Sequence, residues 1–220
     1  MSYNIKSRGL TTLKDIEFPP YITTLYCYNN QLTSLEGCPP SVTTLYCFYN
    51  QLITLEGCPP NVEILDCSFN HLITLEGCHV EMLICSHNQL TSLKGCPLNV
   101  KEIYCYYNQL TTLEGCSLNV KMIDCSNNQL TTLEGCSSNV TKIHWYGNPL
   151  TDQYRNESLK QIHNINRIKA FRKGISLLNK LFSVLKIQRF WRKWWYDELD
   201  SEGMNRFIKK SFTEFYELYK

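Results

Sequence analysis

Leu25-Tyr26-Cys27-Tyr28-Asn29-Asn30-Gln31-Leu32-Thr33-Ser34-Leu35-Glu36-Gly37-Cys38-Pro39-Pro40-Ser41-Val42 returns, with small changes, from Leu45, Leu65, Leu83, Ile103 and Ile123, and a shortened copy runs from Ile143 to Leu150. The spacing is 20 residues, except that Gly77-Cys78-His79-Val80 lacks two and makes its unit 18. Repetition at a fixed short period is the mark of a stacked solenoid, in which each unit hides its apolar side against the next. Within L-x-C the inward residues alternate with outward ones, so the segment reads as a short strand, and the strands of successive units lie parallel. The Asn at positions 30, 50, 70, 88, 108, 128 and 148 recurs where the chain must leave the strand. Its carboxamide can serve backbone groups that a buried bend would leave unpaired.

Written generally, the unit is V-x-x-L-x-C-x-x-N-x-L-x-x-L-x-G-C-P-x-x. It resembles the leucine-rich repeat, with cysteine in one of the leucine places. The resemblance implies a mainly β solenoid with short parallel strands. A 20-residue unit has no room for a helical return, and the Gly-Cys-Pro-Pro segments predict an extended or polyproline-like convex side. The unit is similar to the slim solenoids of bacterial effector proteins, and more so to the cysteine-containing leucine-rich repeat proteins of giant double-stranded DNA viruses. It covers residues 21–150, as about seven units. Residues 1–20, with Leu10, Leu13 and Pro19-Pro20-Tyr21-Ile22, read as an N-terminal half-repeat cap. Residues 151–220 read as a basic α-helical cap or small bundle.

The formal net charge of +2 conceals a division. Residues 1–150 hold 7 Lys/Arg against 12 Asp/Glu, whereas residues 151–220 hold 15 against 8. All twelve cysteines lie in the repeats, six at the strand position (Cys27, Cys47, Cys67, Cys85, Cys105, Cys125) and six after glycine (Cys38, Cys58, Cys78, Cys96, Cys116, Cys136). Stacked parallel strands bring them near one another, but parallel Cβ vectors suit a disulfide torsion poorly. The expectation is therefore twelve free, buried thiols. The N-terminus has no apolar secretory core and no apolar run approaches the ~18–20 residues of a membrane span, so the chain reads as cytoplasmic rather than secreted. Cys78, His79, Cys85 and His87 are close in sequence, but their spacings are not those of structural zinc sites. No cofactor or metal is expected.

The outward strand positions vary while the inward ones do not. The candidate partner-binding residues among them are Tyr26, Tyr28, Tyr46, Phe48, Tyr49, Phe69, Tyr104, Tyr106, Tyr107 and Tyr146. Rigid aromatic rings on an open sheet suit recognition of a protein or peptide; the same ladder also stabilises neighbouring strands. Nothing on this face brings a nucleophile, a base and an orienting group together, so the chain reads as non-enzymatic. The resemblance to bacterial effectors would admit a cysteine-dependent ubiquitin ligase domain, but no cysteine follows Cys136 to act as nucleophile. Glu36, Glu56, Glu76, Lys94, Glu114 and Glu134 form a second column, either a solvated guard or a strip for a basic partner.

At the last unit Trp145 replaces the strand cysteine and is expected to seal the stack. Beyond it, Ser158-Leu159-Lys160-Gln161 is a capping box, and Leu159, Ile162, Ile165, Ile168 and Phe171 keep helical period with Gly174 as the expected stop. A second helix is expected from Ser176 and a third through Ile208, Phe212, Phe215 and Tyr219. Lys186, Arg189, Arg192 and Lys193 lie beside Trp191, Trp194 and Trp195. Ile187-Gln188 followed by Arg192 resembles part of an IQ motif, so the alternative partners are a calmodulin-like protein or nucleic acid. Bundle core with a solvated basic side remains open as the simpler reading.

Overall fold

The computed structural model describes residues 1–155 and 157–184 of the 220-residue chain. Eight strands of three residues each form one parallel sheet in chain order: β1 (Ser2–Asn4), β2 (Thr24–Tyr26), β3 (Thr44–Tyr46), β4 (Ile64–Asp66), β5 (Met82–Ile84), β6 (Glu102–Tyr104), β7 (Met122–Asp124) and β8 (Lys142–His144). Two helices follow, α1 (Asp152–Arg155) and α2 (Leu159–Val184). The chain divides into two compact units, Met1–Arg167 and Ile168–Lys220.

The register repeats the sequence period. Leu25 sits opposite Leu45, Leu45 opposite Leu65, and Leu65 opposite Leu83, so the 18-residue unit is absorbed without shifting the ladder. The two missing residues come out of the convex turn, where Cys78 and Val80 remain buried. Leu25, Cys27, Leu32, Leu35 and Val42 of one rung have no solvent exposure, and the equivalent residues of the following rungs form the same continuous core. The convex side is non-helical. The 20-residue rungs cross it through two hydrogen-bonded turns, such as Cys38 N–H to the Leu35 carbonyl (3.1 Å) and Val42 N–H to the Pro39 carbonyl (3.1 Å), rather than a polyproline-like run.

Glycine is required between those turns because successive rungs touch there. At Gly115, with φ +91°, an added Cβ would lie 2.6 Å from the carbonyl carbon of Leu93 on the preceding rung, so a side chain would both strain the backbone and separate the coils.

Two expectations change at the ends. The N-terminal segment is more than a half-repeat: Ser2, Tyr3 and Asn4 pair with Thr24, Leu25 and Tyr26, and Ile5 and Leu13 are fully buried. This first rung is 22 residues long and carries Ile5 where later rungs carry cysteine, which hides it from a search for L-x-C. At the other end, Trp145 packs against the core but shares the seal with fully buried Tyr154 and Ile162.

The helix that supplies Ile162 starts as the capping box predicts. Ser158 N–H donates to Gln161 Oε1 (3.0 Å), and Gln161 N–H donates back to Ser158 Oγ (3.4 Å). It does not stop at Gly174. α2 runs on to Val184, because an interior glycine costs only about 1 kcal/mol relative to alanine and the neighbouring Lys, Arg, Phe and Leu favour helix. Gly174 is not among the residues of positive φ, so the left-handed cap that would end the helix does not form. The expected third helix and the basic segment Lys186, Arg189, Arg192 and Lys193 lie outside the described residues.

Candidate functional site: an aromatic face on the sheet

The site begins with the asparagine ladder, because that ladder fixes the backbone beneath the rings. Asn70 is buried; its Oδ1 accepts the N–H of Leu52 (2.9 Å) and its Nδ2 donates to the carbonyls of Cys47 (3.1 Å) and Cys67 (3.0 Å). Asn50, Asn88, Asn108 and Asn128 repeat the set. Each carboxamide thus closes the turn of its own rung and ties it to the one before.

Immediately before each ladder position the backbone is left-handed. Ser7, Asn29, Tyr49, Phe69, His87, Tyr107, Asn127 and Gly147 all have φ between 52° and 70°. Their N–H groups continue the sheet; Tyr49 N–H donates to the Ser68 carbonyl (3.1 Å), Phe69 N–H to Ser86 (3.0 Å) and His87 N–H to Tyr106 (3.0 Å). Asn and Gly suit this conformation, whereas an aromatic residue held there costs about 1–2 kcal/mol. The sequence reading of Tyr49, Phe69 and Tyr107 as outward strand residues is therefore corrected: they stand on the turn beyond each strand. The signal was present in Asn29, Asn127 and Gly147, turn-favouring residues at the same register position.

These four costly residues are consecutive, and their side chains form one column. Tyr49 stacks on Phe69 (4.3 Å, 20°), Phe69 on His87 (4.1 Å, 10°) and His87 on Tyr107 (4.6 Å, 17°). Their outer edges are open to solvent; Tyr49 and Tyr107 are each 51% exposed. A second column stands one residue earlier, where Tyr28 stacks on Phe48 (4.3 Å), and a third holds Tyr26 on Tyr46 (5.0 Å). Edge-on contacts join the columns: Tyr26 with Tyr28 (6.5 Å), Phe48 with Tyr49 (5.9 Å), His87 with Tyr106 (5.7 Å) and Tyr106 with Tyr107 (6.0 Å). Lys6 extends the patch, its ammonium 5.5 Å from the Tyr28 ring centre.

Eight of the ten expected residues thus lie in one ring network, and His87, which was not among the ten, is its central link. Tyr104 stands apart; its hydroxyl donates to Glu102 Oε2 (3.1 Å), and burial followed by that bond pushes its phenol pKa up. Tyr146 is 69% exposed and stacks on no ring among the described residues. Burial lowers the pKa of the His87 imidazole from its ordinary 6.5, so the column is uncharged at neutral pH.

All twelve cysteines are free thiols. Their pKa values are raised, first by burial: Cys27, Cys58, Cys96 and Cys136 are pushed from 9.0 to about 12, and Cys47, Cys67, Cys85 and Cys105 well above 9.0. Cys27, Cys67, Cys105 and Cys125 donate to the next rung, as Cys105 Sγ does to the Asp124 carbonyl (3.3 Å). They are packing groups, with no thiolate available at neutral pH for nucleophilic work. Among the described residues no three His, Cys, Asp or Glu side chains are placed to hold a metal ion, and no helix is long and apolar enough to cross a membrane. In the outer column, Glu36 is ion-paired with Lys14, while Glu56 and Glu76 face solvent.

No protein-family model matches the sequence, and no curated protein matches it. Solved structures similar to it are leucine-rich repeat proteins. The leucine-rich effector YopM from Yersinia pestis is 24% identical, with a TM-score of 0.46, over 66% of this chain and 49% of that one. YopM from Yersinia enterocolitica is 24% identical (TM-score 0.42; 60% and 35%). The functional domain of InlJ from Listeria monocytogenes, which includes a cysteine ladder, is 20% identical (TM-score 0.43; 60% and 36%). This chain matches about half or less of the length of each.

Proposed function

We propose that the protein is a non-enzymatic scaffold whose aromatic sheet face binds a protein or peptide partner. The observation that carries this reading is the column Tyr49, Phe69, His87 and Tyr107, four bulky residues kept in a left-handed turn that Asn or Gly occupies on neighbouring rungs. Stacking is worth about 0.5–1.5 kcal/mol per ring pair beyond area burial, so the three stacks, about 1.5–4.5 kcal/mol together, at most reach the low end of the about 4–8 kcal/mol held in four left-handed backbones. An exposed role for the rings supplies the missing reason. Recognition follows from shape: the asparagine ladder holds the backbone, the backbone holds the rings, and little side-chain entropy remains to be lost on binding.

The giant-virus resemblance of the repeat makes a host protein in the host cytoplasm the partner we favour. Residues 21–150 are assigned as the repeated binding units, residues 1–20 as the first rung that caps them and residues 151–220 as the flanking region. Changing Tyr46, Phe48, Tyr104 and Tyr106 together to Ser and capturing partners for mass spectrometry tests the face; undiminished recovery of every partner refutes it. A second reading rests on the charge of residues 151–220: Lys186, Arg189, Arg192 and Lys193 would bind nucleic acid or a calmodulin-like protein. A salt-dependent shift of labelled oligonucleotide, abolished by changing these four to Gln, would favour it.

A further inference from the structure

The second ring column is interrupted. Tyr28 stacks on Phe48, but the next two rungs carry Ser68 and Ser86 at the same position, and the rings resume at Tyr106. Ser68 is 6% exposed and Ser86 fully buried, so both form a floor rather than a wall. Phe48 and Tyr106 lie three strand spacings apart, about 14 Å, which leaves about 10 Å clear between the rings. Each of these end walls touches the left-handed column edge-on, Phe48 at Tyr49 and Tyr106 at His87, so Phe69 and His87 close one long side.

The opposite side carries a carboxylate. Asp66 leans over the floor, its Oδ1 accepting the N–H of Ser68 at 3.1 Å. Asp66 Oδ2 has no hydrogen-bond partner among the described residues. The chain that builds the notch is acidic: from Asp15 to Leu93 it holds eight Asp or Glu and no Lys or Arg. Lys101, just before β6 and two rungs on from Asp66, is already paired with Glu81 at 2.7 Å.

We propose that this notch takes the guanidinium of an arginine in an extended, basic segment of a partner protein. The inference rests on the reading of the sheet face as a partner-binding surface and names the chemistry it selects. A planar guanidinium stacks on aromatic faces and donates in a fork to a carboxylate, and the notch offers ring walls and Asp66 together. An ammonium meets the charge but not the plane. Asp66 and the net negative charge of residues 1–150 repel phosphate, so a nucleic acid is disfavoured on this face.

The probe is a rhodamine-labelled Gly-Arg-Gly-Arg-Gly-Arg-Gly peptide, followed by fluorescence anisotropy with the full chain. Binding is expected to weaken at least fivefold in Asp66→Asn and in Ser68→Tyr, to be unchanged in Glu56→Gln, and to be lost when citrulline replaces arginine. Tyr at position 68 puts there the kind of ring that Tyr28, Phe48 and Tyr106 supply on other rungs, so that variant closes the notch in an intact fold, checked by its thermal melt. Equal affinity in all variants, equal weakening in Glu56→Gln, or tighter binding of oligothymidylate than of the peptide would overturn the proposal. So would peptide binding that emerges only after Arg189 and Arg192 are changed to Gln, which would make the chain's own basic segment the occupant. If the four-residue Ser variant loses a captured partner that Asp66→Asn and Ser68→Tyr both keep, the notch falls and the face reading stands.

Discussion

The carboxamide oxygen of Asn70 accepts the backbone N–H of Leu52 at 2.9 Å, one rung back along the stack. The same side chain also donates to the Cys47 and Cys67 carbonyls, which Asn50 and Asn88 serve as well, so Asn70→Ala would orphan one buried donor and take one of two side-chain hydrogen bonds from each of two carbonyls. At about 1–3 kcal/mol for the unsatisfied donor and about 0.5–1.5 kcal/mol for each of the two further bonds lost, the expected loss is about 3 kcal/mol. Asn70→Asp should be nearly as damaging, since a carboxylate accepts from Leu52 but cannot donate to the carbonyls. Urea denaturation checks both; a loss below about 1 kcal/mol in either would mean that the ladder is not what holds the rungs.

Phe69→Asn removes a whole ring, yet its expected cost is small. Two stacks are lost, worth about 1–3 kcal/mol together, while about 1–2 kcal/mol of left-handed strain is relieved. Thermal or urea unfolding should therefore shift by less than about 2 kcal/mol, far less than deleting a core phenylalanine. A loss near 4 kcal/mol would show that the column is held for stability, and the functional reading of the strain would fail with it.

The repeat made the solenoid legible because register, inward pattern and turn residue recur together; the 20-residue spacing alone aligns Leu25 with Leu45 and Leu65. The aromatic face was legible as composition, not as geometry. Tyr49 and Phe69 belong by type to strands, and only the asparagines and glycine at the same place in other rungs disclose that the backbone there is left-handed. The first strand escaped because Ile5 replaces cysteine and the rung is longer. Gly174 misled because a glycine marks a helix end only where the backbone turns left-handed, and the local helix propensity of its neighbours carries α2 through it.

His87 makes the column sensitive to acid. Burial lowers its pKa below 6.5, so the unfolded chain takes up a proton before the folded one. The neutral histidine's stability contribution is therefore complete above about pH 6.5 and is lost as pH falls through the lowered folded value. His87→Phe keeps the stack and removes the titration. Between pH 7.5 and 5 the variant's urea midpoint should fall less than that of the parent; parallel curves would exclude His87 as the titrating group.

The thiols give the opposite slope. Burial raises Cys27, Cys58, Cys96 and Cys136 from 9.0 to about 12, so ionisation above pH 9 favours the unfolded chain. Their contribution is present below pH 9 and is lost as pH rises toward 12. The urea midpoint should drop between pH 9 and 11, less steeply in Cys58→Ala, where one raised group is gone. Native labelling at pH 7.5 should be slow at all inner thiols until denaturant is added; rapid modification of Cys47 or Cys105, both fully buried, would contradict the packing described.

The C-terminal seal makes a local prediction rather than a global one. Tyr154 is fully buried, its hydroxyl donates to Asn166 Oδ1 (3.0 Å), and Asn166 Nδ2 donates to the Leu133 carbonyl (2.7 Å), linking α1, α2 and the next-to-last rung. Tyr154→Phe removes one hydrogen bond and should cost about 1 kcal/mol, whereas Tyr154→Ala opens a cavity worth about 3–5 kcal/mol. Since each rung touches only its neighbours, the damage should start at the nearest end of the stack and fade along it. Hydrogen exchange is therefore expected to speed up first at Cys125, whose N–H donates to the β8 carbonyl of His144 (2.9 Å). Cys27 and Cys47, near the front, should keep their protection. Uniform loss of protection from Cys27 to Cys125 would mean that the solenoid unfolds as one unit and that Tyr154 secures all of it.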